Sequence, residues 1–281
     1  MPSESSDSWY LHNGEERQSG TPAIAVTDGA IVQGAGIFET IPFYEGTPFA
    51  FEEHHERLRR GAALFSLSLP TGETLRNACA RLIERNQLAG LPLSRVRITV
   101  TAGDSVNGSS PWFVEASPPP ERPEHATVIR IPFCRNERSA LVGCKTINYG
   151  DNAVAMKLAR QENATEALFA NTRNELCEGT WSNVFVRLDG RWTTPPLESG
   201  CLPGVTRHAI LSIAEEFGSP FRETTIPMSD LERAEAMFLS SSIREVQPVA
   251  SIDGRALDPS EEAIASLRSA YRTLVRARVG G

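Results

Sequence analysis

The sequence predicts an α/β protein of the α+β kind, built as two α/β domains with mixed sheets joined by a proline-rich linker. Three observations carry that reading. The chain has 281 residues, enough for two modest hydrophobic cores. Helix-period and strand-period stretches intermingle without the regular alternation of a doubly wound fold. One segment, "EASPPPERPEHA", sets three consecutive prolines and Pro123 among charges and reads as an extended linker. The expected boundaries are a small N-terminal domain over 1–116, a linker over 117–124 and a large C-terminal domain over 125–281.

The elements follow in order. "AIAV" (23–26) reads as a short strand, and "GAGIFETIPFYEGTPFAF" as two strands hinged on the Glu45-Gly46 pair. From Glu52, Leu58, Ala62, Ala63, Leu64 and Phe65 fall near helical spacing. A second helix opens at Thr71–Thr74 and presents Leu75, Ala78, Cys79, Leu82 and Ile83 on one face. "RVRITVTAG" alternates like a half-buried strand. Beyond the linker come a strand in "TVIRIPF" and a helix over about 152–163. In that helix Val154, Met156 and Leu158 are expected inside, and Lys157 and Arg160 outside. Strands in "EALFAN" and "NVFVRL", a turn at Asp189-Gly190, a helix after "LPGVTR" and a strand in "AMFLSSS" complete the series.

Composition narrows the function. A net charge of −7 argues against a general nucleic-acid binder, which shows a basic excess or stripe. No apolar run approaches the roughly 20 residues of a membrane span. The polar N-terminus lacks a signal-peptide core, so a cytoplasmic protein is expected. The five cysteines are odd in number and form no CxxC pair, and the adjacent His54-His55 belongs to no HExxH motif. Neither a disulfide framework nor a metal site is expected.

Four stretches could carry chemistry. Only two of the 28 basic residues are lysines, Lys145 and Lys157. Lys145 follows an apolar run among small residues; desolvation disfavours an ammonium, and the neutral amine is the form that attacks carbonyls. Glu178 in "LCEGTWSNVF" lies between two β-prone runs, where a buried carboxylate needs a cationic partner such as a protonated pyridine. Pro203 and Gly204 open an amphipathic helix whose N-terminal N–H groups suit a phosphate. "LSSSIREVQPV" adds hydroxyls. Each also has a structural reading: a surface lysine at a strand end, a turn glutamate, an ordinary helix start, a polar turn.

Together, from "GAGIFETI" to "EVQPV", these stretches resemble the class IV aminotransferases, the fold-type IV enzymes that use pyridoxal 5′-phosphate. The run "EALFANTRNELCEGTWSNVFVRLDGRWTTPPLESGCLPGVTR" carries most of the likeness. The family includes branched-chain and D-amino-acid aminotransferases and aminodeoxychorismate lyase. The resemblance implies that Lys145 is the catalytic Schiff-base lysine, and that Tyr149 hydrogen-bonds the cofactor's O3′. It implies that Glu178 partners the pyridine nitrogen and that Leu202 packs on the ring. Arg57, Gly204, Val205, Thr206 and Ser242 would hold the phosphate. Phe38, Arg95, Arg97 and Ile243 would face the substrate. A homodimer with active sites at its interface is likewise implied.

The reaction expected is transamination between an amino acid and a 2-oxo acid, with aminodeoxychorismate lyase activity (release of pyruvate and 4-aminobenzoate) as the alternative. A catalytically inactive family member is a third reading, against which the presence of Lys145, Glu178 and Arg57 argues. Gln33 and Arg95 stand where branched-chain enzymes typically carry tyrosines. Arg95 and Arg97 project from one strand face and could both meet a carboxylate. Glu39 in "GIFETI" is found in both groups and does not separate them.

Overall fold

The computed structural model describes residues 8–104, 110–216, 221–259 and 262–280. It divides into two units: Met1–Pro120 with Cys144–Asn148 and Arg278–Gly281, and Glu121–Gly143 with Tyr149–Ala277. Each unit carries one sheet, so the class is α/β with one antiparallel and one mixed sheet.

The first unit contains β1 (Trp9–His12), β2 (Glu15–Gln18), α1 (Gly29–Gln33), β3 (Gly36–Tyr44), β4 (Thr47–Pro48), α2 (Phe51–Phe65), α3 (Gly72–Arg85), β5 (Ser94–Thr101) and β6 (Trp112–Ser117). Its strands form one antiparallel sheet in the order β2-β1-β6-β5-β3-β4. Strand alternation decides which face is buried. Val96, Ile98 and Val100 of β5 join Ile37, Ile41 and Phe43 of β3 in a core closed by Leu58 and Ala62 of α2 and Leu75, Cys79 and Leu82 of α3. The Thr71 hydroxyl caps α3 by accepting from the Thr74 N–H at 3.1 Å, satisfying one of the donors a helix start leaves over.

Residues 23–26 are not a strand. They run irregularly, with Ile24 and Val26 exposed, and the chain turns into α1 where the buried Asp28 carboxylate accepts from the Ala30 N–H at 2.8 Å and the Thr101 hydroxyl at 2.8 Å. That N-cap outweighs the β-preference of a four-residue apolar run with no strand to pair it.

The second unit contains β7 (Ala126–Arg135), α4 (Gly150–Gln161), β8 (Glu166–Asn171), β9 (Leu176–Gly179), β10 (Asn183–Leu188), β11 (Arg191–Thr194), α5 (Val205–Glu216), β12 (Arg222–Glu223), β13 (Ala236–Ser241), β14 (Glu245–Ile252), β15 (Arg255–Ala256) and α6 (Glu262–Val279). Among the described residues its sheet runs β12-β11-β10-β13-β14-β7-β8-β9, with β15 on β14. The pairs β14–β7, β7–β8 and β11–β12 are parallel. α4 turns Ala155, Met156 and Ala159 inward against Ile131, Ala167 and Phe169. Val154 is 51% exposed rather than buried, because the small Ala155 and Ala159 occupy the sheet-facing stripe. On β10 and β13, Phe185 stacks on Phe238 at 4.5 Å between centroids, and Trp192 and Phe221 close the cluster.

Four hairpin turns share one device. Asn13-Gly14, Glu45-Gly46, Asp189-Gly190 and Asp253-Gly254 all have positive φ at both residues, the two-residue turn whose twist matches paired strands.

Removing the central ring of the aromatic cluster opens a cavity, so Phe238→Ala is expected to cost about 3–5 kcal/mol. A lowered urea midpoint, followed by circular dichroism, checks this; an unchanged midpoint contradicts it.

Candidate active site

Lys145 enters the first unit on a short excursion bonded along β3. The Phe38 N–H donates to the Lys145 carbonyl at 2.9 Å, and the Ile147 N–H to the Gly36 carbonyl at 3.0 Å. Ile37 and Thr146 form the antiparallel bridge between them. The approach is close enough that a Cβ on Gly36 would lie 2.9 Å from the Val100 carbonyl and 2.8 Å from the Ile147 side chain. Only glycine fits there.

This pinning sets the Lys145 amine 4.6 Å from the centre of the Phe38 ring. The same ring carries the Arg97 guanidinium at 3.7 Å, so one aromatic surface holds both cations. Arg97 also donates through Nε to the Thr99 hydroxyl at 3.1 Å. Arg95, two residues back and opposite Pro42, instead donates to the Ser117 hydroxyl at 3.3 Å. Of the two arginines singled out in the sequence, the ring joins Arg97 to Lys145.

The other face of β3 carries Glu39, buried beneath α2. Its carboxylate accepts Nε and Nη2 of Arg57, each at 2.7 Å, and Nδ1 of His54 at 2.7 Å. All three side chains are at least 95% buried. Burial alone would raise the Glu39 pKa, but the Arg57 charge, its paired hydrogen bonds and His54 hold it well below the carboxylate range. Burial pushes His54 below its ordinary value against the pull of Glu39. A carboxylate only accepts, so the bonded His54 Nδ1 carries a proton. The sequence reading assigned Arg57 without its two buried partners; the i, i+3 spacing of His54 and Arg57 on a core-facing stripe was the available signal.

In the second unit, Glu178 of β9 accepts the Leu202 N–H at 2.9 Å and lies 3.4 Å from Nε of Arg135. Arg135 stacks over Phe169 at 4.1 Å and donates to Asn152 at 3.0 Å. This cationic neighbour sits at the end of β7 in no recognisable motif, which is why sequence reasoning missed it. Cys177 and Cys201 flank the acid's surroundings as inert thiols. Burial raises both, with the Glu178 charge adding, and carries Cys201 to about 11.

α5 begins just after Gly204, whose carbonyl accepts the His208 N–H at 2.9 Å, and the first N–H groups of a helix start point toward an anion. A Cβ on Gly204 would strike the Asn183 side-chain oxygen, and Asn183 Nδ2 donates to the Leu202 carbonyl at 2.9 Å. Asn183 pairs directly with Ser240 across β10 and β13, which puts both side chains on one face about 5 Å apart. The Ser240 hydroxyl is wholly buried and has no hydrogen-bond partner. Beyond it the chain enters the turn bearing Ser242 and Ile243. Gly204, packed on Asn183, and Ser240, paired with it, thus meet at one end of β10 and β13. Ser240 was not singled out from the sequence, where it is one of three consecutive serines. Tyr149 is half-buried and caps α4 without a side-chain bond to it.

The family model for class IV amino-transferases matches residues 36–252. The chain belongs to this family. It is therefore an aminotransferase of that class, whose members use pyridoxal phosphate. Among similar proteins, the D-alanine aminotransferase of Listeria innocua is 30% identical over 255 residues, covering 85% of both chains. The branched-chain aminotransferase of Thermoproteus uzoniensis, solved with norvaline, superposes with a TM-score of 0.87 at 26% identity, covering 96% of this chain and 95% of that one. A hypothetical aminotransferase from Mycobacterium tuberculosis, in a form with α-ketoglutarate and PMP bound, gives a TM-score of 0.86 at 25% identity, over 96% of this chain and all of that one.

The residues of this aminotransferase fit the family's cofactor. An orphaned buried hydroxyl beside a helix N-terminus whose glycine admits no side chain suits a phosphate. A half-buried carboxylate suits a protonated ring nitrogen. Among the described residues no group of three or more metal-ligating side chains gathers, and no helix is long and apolar enough to cross a membrane.

The Glu39 cluster makes stability pH-dependent. Its depressed carboxyl contributes stability that is present above pH about 4.5 and lost as pH falls through the folded value. His54, lowered from 6.5, acts in the same direction, because the unfolded chain takes up a proton below that pH before the buried ring does. Glu39→Gln strands the buried Arg57 and is expected to cost about 3–5 kcal/mol near neutrality. The melting-temperature gap between parent and variant should narrow as pH falls below about 4.5. A gap independent of pH would contradict it.

Proposed function

We propose that this aminotransferase exchanges an amino group between an amino acid and a 2-oxo acid, using pyridoxal 5′-phosphate attached through Lys145. The observation that carries the reading is the Phe38 ring with the Lys145 amine and the Arg97 guanidinium both upon it. The Lys145 amine, in its neutral form, can act on the substrate Cα while the Arg97 guanidinium holds a carboxylate of the same molecule.

When bound, the cofactor supplies an aldehyde carbon and an electron-withdrawing ring. The remaining work belongs to the chain. Lys145, with its backbone fixed by β3, would hold the aldehyde carbon before substrate arrives and, once the substrate amine has displaced it, would use its freed amine to move the proton at the substrate Cα. Glu178 keeps a proton on the ring nitrogen and is itself oriented by the Leu202 N–H. Leu202 packs on the ring, and Tyr149 bonds its hydroxyl oxygen. The N–H groups of Val205 and Thr206 and the hydroxyls of Thr206, Ser240 and Ser242 would hold the phosphate behind Gly204. Phe38, Arg95, Arg97 and Ile243 shape the substrate side.

The working unit is a homodimer acting in the cytoplasm. Supporting the dimer, Ile24, Val26, Ile31 and Val32 are 44–83% exposed on one short stretch of the first unit. A monomer does not ordinarily leave such a run to water.

Borohydride treatment of the yellow holoenzyme should fix the cofactor to the peptide containing Lys145. Lys145→Ala should lower kcat at least about a hundredfold in assays of D-alanine or branched-chain L-amino acids with 2-oxoglutarate. Unimpaired turnover by that variant overturns the reading. Consumption of aminodeoxychorismate with pyruvate release, in place of keto-acid exchange, assigns the enzyme to the lyases.

Burying a charge at the apolar stretch should break the assembly. Val32→Asp is expected to sediment as a monomer where the parent sediments as a dimer, and a monomeric parent contradicts the dimer.

A further inference from the structure

Glu166, the first residue of β8, is completely buried yet belongs to none of the roles above. Its carboxylate is fully engaged. Oε1 accepts the N–H groups of Thr180 at 2.9 Å and Ala167 at 3.3 Å; Oε2 accepts the Ser182 hydroxyl at 3.3 Å and Nη2 of Arg244 at 2.6 Å. Arg244, whose side chain is 9% exposed, also donates to the side chain of Gln247. Its own N–H donates to the Ser241 hydroxyl at 3.3 Å. Gln247 in turn donates to the Pro123 carbonyl at 2.8 Å.

Two segments converge on this pair. Residues 178–183 run from the ring-nitrogen acid Glu178 to Asn183, which packs on Gly204. Residues 241–245 form the turn that carries Ser242 and Ile243. The loop is tightly determined: a Cβ on Gly179 would strike the Ser182 hydroxyl, and the Thr180 carbonyl accepts from the Asn152 amide. Nearby, half-buried Arg122 feels both Arg244 and Glu166, and burial with the Arg244 charge lowers its pKa to about 10. A second guanidinium beside the first makes the position of Glu166 more exacting.

Stability alone does not explain such an arrangement. A buried ion pair is commonly replaceable by apolar side chains of similar volume without loss of stability. What an apolar pair lacks is direction: it cannot fix two N–H groups, a hydroxyl and a guanidinium from separate segments relative to one another. We infer that the Glu166–Arg244 pair is a positioning device, holding the Glu178 loop and the Ser242 turn at the separation that lets ring nitrogen and phosphate of one cofactor molecule be gripped together. The inference rests on the pyridoxal-phosphate reading above.

The test measures pyridoxal 5′-phosphate affinity, the visible spectrum of the loaded protein and the melting temperature of the cofactor-stripped protein. The parent is compared with Glu166→Leu/Arg244→Met and with Arg244→Lys. The double variant, which leaves the Thr180 and Ala167 N–H groups and the Ser182 hydroxyl without their acceptor, should melt below the parent but still fold. It should bind the cofactor roughly ten- to a hundredfold more weakly, the range seen when groups that orient a ligand's partners are lost around metal sites, and its absorption band should shift. Arg244→Lys, which keeps the charge but not the fork, should fall between the two. A folded double variant with parental affinity and spectrum overturns the positioning role. Should the double variant fail to fold, parental affinity and spectrum in Arg244→Lys overturn it instead. A parent that takes up no pyridoxal phosphate refutes the functional reading itself, which separates that failure from failure of this inference.

Discussion

The site depends on the backbone bonding of a five-residue excursion to the edge of an already paired strand. Lys145 has a long, rotamer-rich side chain, and ordering it costs up to about 2 kcal/mol of entropy. The two hydrogen bonds to Phe38 and Gly36 leave only the side chain to be ordered. Gly36 is the residue on which this turns, since any Cβ there meets the Val100 carbonyl and the Ile147 side chain together. The sheet of the first unit is thus the frame for the amine, although the amine lies far along the chain from the strands that hold it.

The bias toward arginine completes the arrangement. All but two of the 28 basic residues are arginines. A guanidinium stays protonated and does not attack carbonyls, while its planar fork suits carboxylates in confined places. Arg57 and Arg244 fill such places, each against a buried glutamate. Lys157 faces water on α4. Lys145 is therefore the only half-buried amine side chain in the protein, and a carbonyl ligand meets no competing nucleophile of its kind.

Much of this was legible in the sequence because the governing interactions are local. The faces of α3 and β5 follow from periodicity; on α2 Leu58 and Ala62 turn inward as read, but Ala63 and Leu64 face water. Glu45-Gly46 and Asp189-Gly190 announce hairpins through their backbone requirement. Asn13-Gly14 and Asp253-Gly254 carry the same signal, and β1, β2, β14 and β15 could have been read from it. Residues 23–26 failed because a β-prone run acquires meaning only from a partner strand. The polar networks were illegible for a related reason. Glu39 and Glu166 sit in strand patterns where a charge looks like an outward position, and their guanidinium partners lie 18 and 78 residues away. Ser240 is hidden among identical neighbours, distinguished only by its pairing with Asn183.

In the proposed arrangement hydroxyls and N–H groups, and not a row of cations, meet the phosphate at the start of α5. A phosphate neutralised by exposed lysines would be held by charge, which is screened by salt and indifferent to rotation. N–H groups at a helix start and hydroxyls on strand ends are directional, and a carbonyl compound tethered at one end must be aligned as well as retained. A buried hydroxyl without a partner loses free energy until something accepts from it or donates to it. In the proposed arrangement a phosphate oxygen would give the buried Ser240 hydroxyl that partner.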